Sequence, residues 1–202
     1  MQVPSGYSVL PGLRAVDGPL ALRAVQPGDI ESIRLWRNAQ MDVLRQASEI
    51  TREAQVEYFK RHVWPQMAEK DPSQVLLAIE ANGALVGYGG LVHISWPYRR
   101  AEVSFLLAPA LEADEAALAS HFARYLRMIR AVAFAGLGLR RLSTETYANR
   151  VRHIRLLEAA GFRREGLLRE QVLVGGMPMD SLLHGLLASD PLPGTPESER
   201  SA

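Results

Sequence analysis

The sequence predicts a mixed α/β (α+β) fold, in which helices cover both faces of a mostly antiparallel central sheet. Aliphatic and β-branched runs alternate with amphipathic helical patterns, in the order β-α-α-β-β-β-α-β-α-β-β. The dipeptides Asn82-Gly83 and Gly175-Gly176 each interrupt two apolar runs, as hairpin turns do. A Rossmann or P-loop fold is not expected, because neither G-x-G-x-x-G nor G-x-x-x-x-G-K-[ST] follows a strand.

One domain accounts for most of the chain. Of the 202 residues 48% are hydrophobic, which is sufficient for a single sizeable core. Residues 1–19 are rich in proline and glycine and are predicted to form a loop-rich arm. Residues 20–188 are assigned to the domain, and residues 189–202, which lack apolar periodicity, are expected to be disordered.

The first half of the domain contains four predicted strands and two helices. Residues 20–25 alternate like a strand, and Asp29 is expected to cap the helix that follows. Thr51 is expected to cap a second helix, which Pro65 should end. The second and third strands flank Asn82-Gly83, and "RRAEVSFLLA" forms the fourth.

The second half begins with a long helix that has acidic residues in its first turn and ends at Gly136 or Gly138. The fifth strand, "LRRLSTETY", leads into a helix that Gly161 ends in the left-handed conformation before the closing hairpin. Helical spacing predicts that the side chains facing the sheet from this last helix are Val151, Ile154, Leu157 and Ala160.

Composition argues against several classes of function. The net charge is only +1, which gives no reason to expect nucleic acid or an acidic membrane as a partner. The chain has no cysteine, so disulfides and thiolate metal sites are excluded, and its five histidines lack metal-ligand spacing. No apolar run reaches membrane-spanning length and no signal peptide precedes the domain, so the expected location is the cytoplasm.

Four stretches carry a resemblance to a known family: "LRAVQPGDIESIRLWRN", "LVGYGGL", "AEVSFLL" and "HIRLLEAAGFRREGLLRE". Together they resemble the GNAT superfamily of acyl-CoA N-acyltransferases over about residues 20–187. The pattern "LLE-x-x-GF-x-x-EG-x-LR" resembles the branch of ribosomal-protein N-terminal acetyltransferases and nucleotide-amino-sugar N-acetyltransferases. The "WRN" that ends the first helix is similar to the sugar-nucleotide enzymes.

The resemblance implies a V-shaped opening between the fourth and fifth strands. The pantetheine of acetyl-CoA, the expected co-substrate, would pair with the backbone of Phe105, Leu106 and Leu107. An amine would attack the thioester directly, and N–H groups near Leu106 would stabilise the oxyanion. The expected acceptor is a small amine, an amino sugar linked to a nucleotide. The alternatives are a protein N-terminus or a degenerate domain that binds without catalysis. The resemblance is also compatible with a homodimer.

The chain departs from the family at the phosphate end of the expected cleft. The glycine-rich pyrophosphate loop is replaced by "PALEADEAALAS", whose Glu112, Asp114 and Glu115 would repel a polyanion. Leu157 stands where many relatives have a proton-donating tyrosine on the last helix. On this side the resemblance assigns CoA-binding positions to Asn149, Arg150 and His153, with Arg152 or Arg155 as alternative phosphate contacts.

The resemblance also directs attention to residues that could perform the chemistry. Glu102, on the fourth strand, is the candidate general base, and the alternative is an ion pair with Arg99 or Arg100. His93 is a second candidate base or substrate contact. The residues predicted to bind the acceptor are Trp36, Arg37, Asn38, Arg45, Gln46 and Tyr98. The candidate proton donors to the leaving thiolate are Tyr88, Tyr98, Ser104 and Tyr147.

Overall fold

The computed structural model describes residues 3–191 and contains one eight-stranded sheet with the strand order β1-β2-β3-β4-β5-β6-β8-β7. The strands are β1 (Ala15–Asp17), β2 (Leu20–Ala24), β3 (Val75–Ala81), β4 (Ala84–Ser95), β5 (Arg100–Leu107), β6 (Arg141–Tyr147), β7 (Arg163–Val174) and β8 (Met177–Leu187). The helices are α1 (Ile30–Asn38), α2 (Arg52–Tyr58), α3 (Trp64–Ala68), α4 (Pro109–Ala113), α5 (Glu115–Ala131) and α6 (Val151–Ala159).

The sheet is antiparallel except where β5 meets β6. Helices α1 and α2 pack on one face of the sheet, and α5 and α6 pack on the other. The predicted fold class is therefore confirmed. Among residues 3–191, no helix is long and apolar enough to cross a membrane.

The N-terminal arm is more ordered than its composition predicts. Residues 15–17 form the edge strand β1, which pairs with β2. The buried Tyr7 accepts a hydrogen bond from the backbone N–H of Leu76 at 2.8 Å, so the arm packs on the sheet. At the other end, Asp190 pairs with Arg163, and the rest of the predicted disordered tail, residues 192–202, lies outside the described residues.

The predicted turns occur where expected. Asn82 and Gly83 have φ angles of 50° and 83° between β3 and β4, and Gly175 and Gly176 have φ angles of 58° and 81° between β7 and β8. Gly161 ends α6 with a φ of 93°, as predicted. Of the two glycines proposed to close the long helix, Gly138 has the positive φ.

Two helix boundaries differ from the prediction. Asp29 does not cap α1; its carboxylate instead accepts bonds from the Arg23 guanidinium and from the backbone N–H of Gln26. Pro65 does not end the second helix, because a wider π turn at Phe59–Val63 shifts the hydrogen-bond register and a further turn, α3, begins at Trp64. Proline lies in the first turn of α3, where its missing N–H costs little.

The buried face of α6 also differs from the predicted set. His153 and Leu157 are the buried side chains of this helix, whereas Val151 is exposed. Hydrophobic spacing did not identify this face, because a buried histidine occupies one of its positions. The prediction for Val151 as a core residue is therefore wrong.

Candidate functional site

Strands β5 and β6 pair only at one end. Arg100, Ala101 and Glu102 are in register with Arg141, Leu142 and Ser143, and no pairing follows beyond Glu102. The remaining parts of the two strands separate, with β5 continuing to Leu107 and β6 to Tyr147. The predicted V-shaped opening between these strands is thus present.

The open edge of β5 has a defined set of backbone groups. The N–H of Ala108 donates to the carbonyl of Val86 on β4, so the groups of Leu106, two residues earlier, also face β4. The groups of Phe105 and Leu107 therefore face the opening. Of the three residues predicted to pair with pantetheine, Phe105 and Leu107 direct their backbone groups toward the opening. The N–H of Leu106 faces β4, so it is not placed to stabilise an oxyanion in the opening.

A tyrosine hydroxyl holds the other edge of β5. Tyr125, from α5, donates to the carbonyl of Ser104 and accepts from the N–H of Gly90. A Cβ at Gly89 would lie 2.7 Å from the Tyr125 oxygen, so a side chain there is excluded. A Cβ at Gly87 would meet the carbonyl of Leu106, and one at Gly90 the carbonyl of Val75, so close approach of neighbouring groups explains the glycines of "GYGG".

The segment between α1 and α2 covers the opening from one face of the sheet. Asn38 accepts from the N–H of Ile50 and donates to its carbonyl, both at 2.9 Å, and it also accepts from Gln46. Arg37 donates to Gln46 and to the hydroxyl of Tyr88. Three predicted acceptor-binding residues, Arg37, Asn38 and Gln46, therefore lie together, and Asn38 and Gln46 bond within the segment.

A cavity of about 350 Å³ lies beneath this segment. Its lining is apolar apart from Arg37, Gln55, Tyr58, Gln74, Tyr88 and Ser104. No carboxylate lines it. Within residues 3–191, moreover, no carboxylate lies within ion-pair distance of Arg37, whose partners are both neutral. The cavity thus presents a guanidinium whose charge is uncompensated.

A second cavity, of about 430 Å³, adjoins the first through Tyr58, Gln74 and Val92. His93 lines this outer cavity from an irregular, positive-φ position on β4, and it does not line the inner cavity beside Ser104. The structure does not place Tyr98 in either cavity: it is 64% exposed in the turn between β4 and β5. Trp36 is partly buried and packs against the core.

Two carboxylates meet one arginine at the base of the opening. Nη2 of Arg45 lies 3.3 Å from Oε1 of Glu102 and 2.8 Å from Oε2 of Glu145. Glu102 and Arg45 were predicted separately, and the structure brings them together. The predicted alternative partners of Glu102, Arg99 and Arg100, are not its partners. Glu145, which lies on β6, was missed because a single strand glutamate has no distinguishing sequence signal.

Two tyrosines near the opening remain protonated at neutral pH. Burial raises the pKa of Tyr88, against the opposing effect of Arg37. Burial also raises the pKa of Tyr147, on β6, where Arg45 and Arg150 oppose the shift and Glu145 adds to it. Both phenols therefore keep their proton at neutral pH, and the raised pKa makes each a weaker acid than an ordinary tyrosine, whereas the buried Leu157 has no proton to donate.

The phosphate end contains a compact ionic cluster. Nη2 of Arg150 lies 2.9 Å from Oε1 of Glu112 and 2.7 Å from Nε2 of His153. Burial lowers the pKa of His153, and Arg150 adds to this while Glu112 opposes it, so His153 is neutral at pH 7. Burial alone would raise the pKa of Glu112, but its bonds to His153 and Arg150 outweigh that effect and lower it. Asn149 is exposed in the preceding turn.

The residues beside β5 fit the pantetheine arm of the acyl-CoA that the resemblance implies. The residues around Arg150 fit its phosphates only in part. Along the open edge of β5, the groups of Phe105 and the N–H of Leu107 have no partner from β6, whereas the carbonyl of Leu107 accepts from Gln40. At the phosphate end Arg150 is suitable, but Glu112 already occupies it. Within the described chain, no group of three or more histidine, aspartate or glutamate side chains is arranged to hold a metal ion.

Comparisons with known proteins agree with this architecture. Residues 22–183 match the acetyltransferase (GNAT) domain family. The chain is similar in structure to spermidine N-acetyltransferase from Vibrio cholerae in complex with CoA and spermine, with a TM-score of 0.74 and 22% identity, covering 86% of this chain and 98% of that one. A dodecameric structure of that enzyme in an intermediate state gives a TM-score of 0.70 and 22% identity, covering 86% and 96%. No curated protein sequence matches the chain.

Proposed function

The chain belongs to the GNAT acetyltransferase family, and from this premise we propose that it transfers the acetyl group of acetyl-CoA to a small amine that carries a negative charge. Within that class, an amino sugar linked to a nucleotide is the proposed acceptor. The observation that carries the proposal is the uncompensated Arg37 in a cavity with no carboxylate in its lining. The likeness of "WRN" and of the closing pattern to the sugar-nucleotide branch supports the same choice.

Acetyl-CoA supplies the acetyl group as an activated thioester. On this chain, the backbone of Phe105 and Leu107 is the proposed support for its arm, because these groups face the opening and β6 gives them no partner. Arg150 is the proposed phosphate contact, with Asn149 and His153 beside it. Glu112 competes with the phosphates for Arg150.

Glu102 is the proposed base for the amine proton. It lies on β5 at the point where the strands separate, and its side chain is 26% exposed, so water can reach it. Arg45 keeps its carboxylate oriented toward the opening. His93 remains a second proposal, as an alternative base or an acceptor contact, because it lines the outer cavity and follows Val92, the β4 partner of Glu102.

Charge distinguishes this acceptor site from one that suits a polyamine. The structural relatives named above act on spermidine, a polycation. A polycation in the inner cavity would meet Arg37 without any carboxylate to balance it, which is unfavourable in a partly buried site. A phosphate or carboxylate on the acceptor would instead pair with Arg37.

An acceptor screen tests the proposal. The purified chain is given acetyl-CoA with glucosamine, glucosamine 1-phosphate, a UDP-linked amino sugar, spermidine or a short peptide with a free N-terminus. Because the chain has no cysteine, a thiol reagent reports only released CoA. We expect kcat/KM for the phosphorylated amino sugars to exceed that for spermidine by ~10-fold or more, since an ion pair to a partly buried guanidinium contributes ~1.5–3 kcal/mol.

The variant Arg37→Met identifies the cause. It should remove the advantage of the phosphorylated sugars and leave kcat/KM for glucosamine within ~3-fold, because glucosamine has no anionic group to pair with Arg37. Highest activity with spermidine, or with the peptide, would replace the proposed acceptor. No activity with any amine, together with no binding of acetyl-CoA, would favour a non-catalytic domain.

A further inference from the structure

Gln40 lies two residues after the last residue of α1 and is buried, with only 6% of its surface exposed. Its Nε2 donates to the carbonyl of Trp36 at 3.2 Å and to the carbonyl of Leu107 at 2.9 Å. Because two carbonyls surround one end of the amide, that end must be the nitrogen, and the orientation of the group is fixed.

The Leu107 carbonyl places this amide at the opening between β5 and β6. The backbone of Leu107 faces away from β4, as the bond from Ala108 to Val86 shows. The side chain of Gln40 therefore reaches the same open edge of β5 that the proposed function assigns to the arm of acetyl-CoA.

The oxygen of the same amide is unpaired. Oε1 of Gln40 is buried and has no hydrogen-bond donor among residues 3–191. A buried acceptor without a donor is destabilising, and native structures rarely leave one unless a ligand or water completes it. Residues 3–191 thus hold a fixed acceptor in the amide that contacts the Leu107 carbonyl, and they supply no donor for it.

The arm of CoA carries two amide N–H groups, which are donors of the required kind. We propose that Gln40 is a positioning residue whose Oε1 accepts a hydrogen bond from one of these N–H groups, so that it fixes how far the arm extends along β5. The proposal rests on the proposed function, since it requires the arm to bind in this opening.

A thermodynamic cycle tests the contact directly. Calorimetry measures Kd for CoA and for two analogues in which one or the other arm amide is replaced by an ester, with the wild-type chain and with Gln40→Met. Methionine keeps the side-chain volume and removes the amide. We expect wild type to bind one analogue ~10-fold more weakly than CoA, and Gln40→Met to bind CoA ~10-fold more weakly than wild type does.

The decisive result is the coupling. If the amide N–H meets Oε1, the analogue that lacks it should lose no further affinity with Gln40→Met, because the bond is already absent. A merely structural role for Gln40 would weaken CoA and both analogues by the same factor. Equal factors for both analogues would therefore overturn the proposal.

Adenosine 3′,5′-bisphosphate, which lacks the arm, is the control ligand. It should bind wild type and Gln40→Met equally if the fold is intact. If Gln40→Met does not fold, Gln40→Asn replaces it in the cycle. Asparagine keeps an amide, but its side chain is one methylene shorter, so its oxygen no longer reaches the arm. We expect the same coupling for this variant. Failure of the wild-type chain to bind CoA would instead reject the proposed function, so the two failures are distinguishable.

Discussion

The two sides of the opening each present an arginine, but in opposite electrostatic states. Arg37, on the proposed acceptor side, bonds to the neutral groups of Gln46 and Tyr88 and to no carboxylate among residues 3–191. Arg150, on the phosphate side, is already paired with Glu112 at 2.9 Å. A count of charges would treat these sites as equal, yet only the first offers an unpaired cation to an incoming anion.

Two sites of equal formal charge therefore differ in what an anion would meet there. An anion at Arg37 would gain an ion pair without competition, whereas a phosphate at Arg150 would compete with the carboxylate of Glu112. The Arg37 site is therefore preorganised for an anion, whereas at the Arg150 site the ion pair with Glu112 opposes one.

Glu102→Gln acts at the base of the opening, where the two sides meet. It should lower kcat by ~10²-fold or more at pH 7, because the amine loses its proton acceptor. Binding of acetyl-CoA, measured by calorimetry, should stay within ~2-fold. Glu165→Gln is the matched control, since Glu165 pairs with Arg141 outside the opening. An unchanged kcat would remove Glu102 from the chemistry.

Arg150→Gln removes the paired cation on the phosphate side. We expect CoA to bind ~10–100-fold more weakly, because a charged hydrogen bond contributes ~1.5–3 kcal/mol. Pantetheine, which lacks the phosphates, should bind the variant as it binds wild type. Equal losses for CoA and pantetheine would show that Arg150 supports the fold rather than the phosphates.

Glu112→Gln should have the opposite sign to Arg150→Gln. The neutral side chain releases Arg150 and removes repulsion, so CoA should bind ~3–10-fold more tightly, and the gain should shrink as salt is added. Glu115→Gln, which changes an exposed acid nearby, controls for the general loss of negative charge. Weaker binding by Glu112→Gln would mean that Glu112 orients Arg150 for the phosphates instead of competing with them.

His153 gives the smallest effect, on stability against pH. Its pKa is lowered in the folded chain, so below about pH 6.5 the unfolded chain binds more protons and the free energy of unfolding falls with falling pH. Denaturant titrations between pH 7.5 and 5.5 should show a smaller decrease for His153→Phe than for wild type. His62→Gln, at an exposed position, should leave the wild-type slope unchanged.

Local sequence patterns predicted most of the fold because its turns and helix ends are determined by residues that are close together in the sequence. The φ angles at Asn82-Gly83 and Gly161 follow from short stretches of chain, and Thr51 accepts a bond from Ala54 three residues later. The exceptions depend on contacts between distant residues. Arg23 draws Asp29 away from α1, and Tyr7 anchors an arm that has the composition of a loop.

The site was predicted less completely for the same reason. Sequence reasoning selected Arg45 and Glu102 on different grounds, but their contact spans 57 positions, and Glu145 joins from 100 positions away. Gln40 was missed because its role depends on a carbonyl of β5. Tyr98 and His93 were both predicted to contact the substrate, yet Tyr98 lies outside both cavities and His93 lines only the outer one.

The short junction between β5 and β6 has a consequence for hydrogen exchange. Backbone amides of Ser104 and Leu106 face β4, whereas those of Phe105 and Leu107 face the opening without a partner from β6. Exchange rates along β5 should therefore alternate from residue to residue. The amides of Ser104 and Leu106 should exchange slowly, and those of Phe105 and Leu107 should exchange fast. A ligand that lies in the opening as an added strand would protect the fast amides and abolish the alternation.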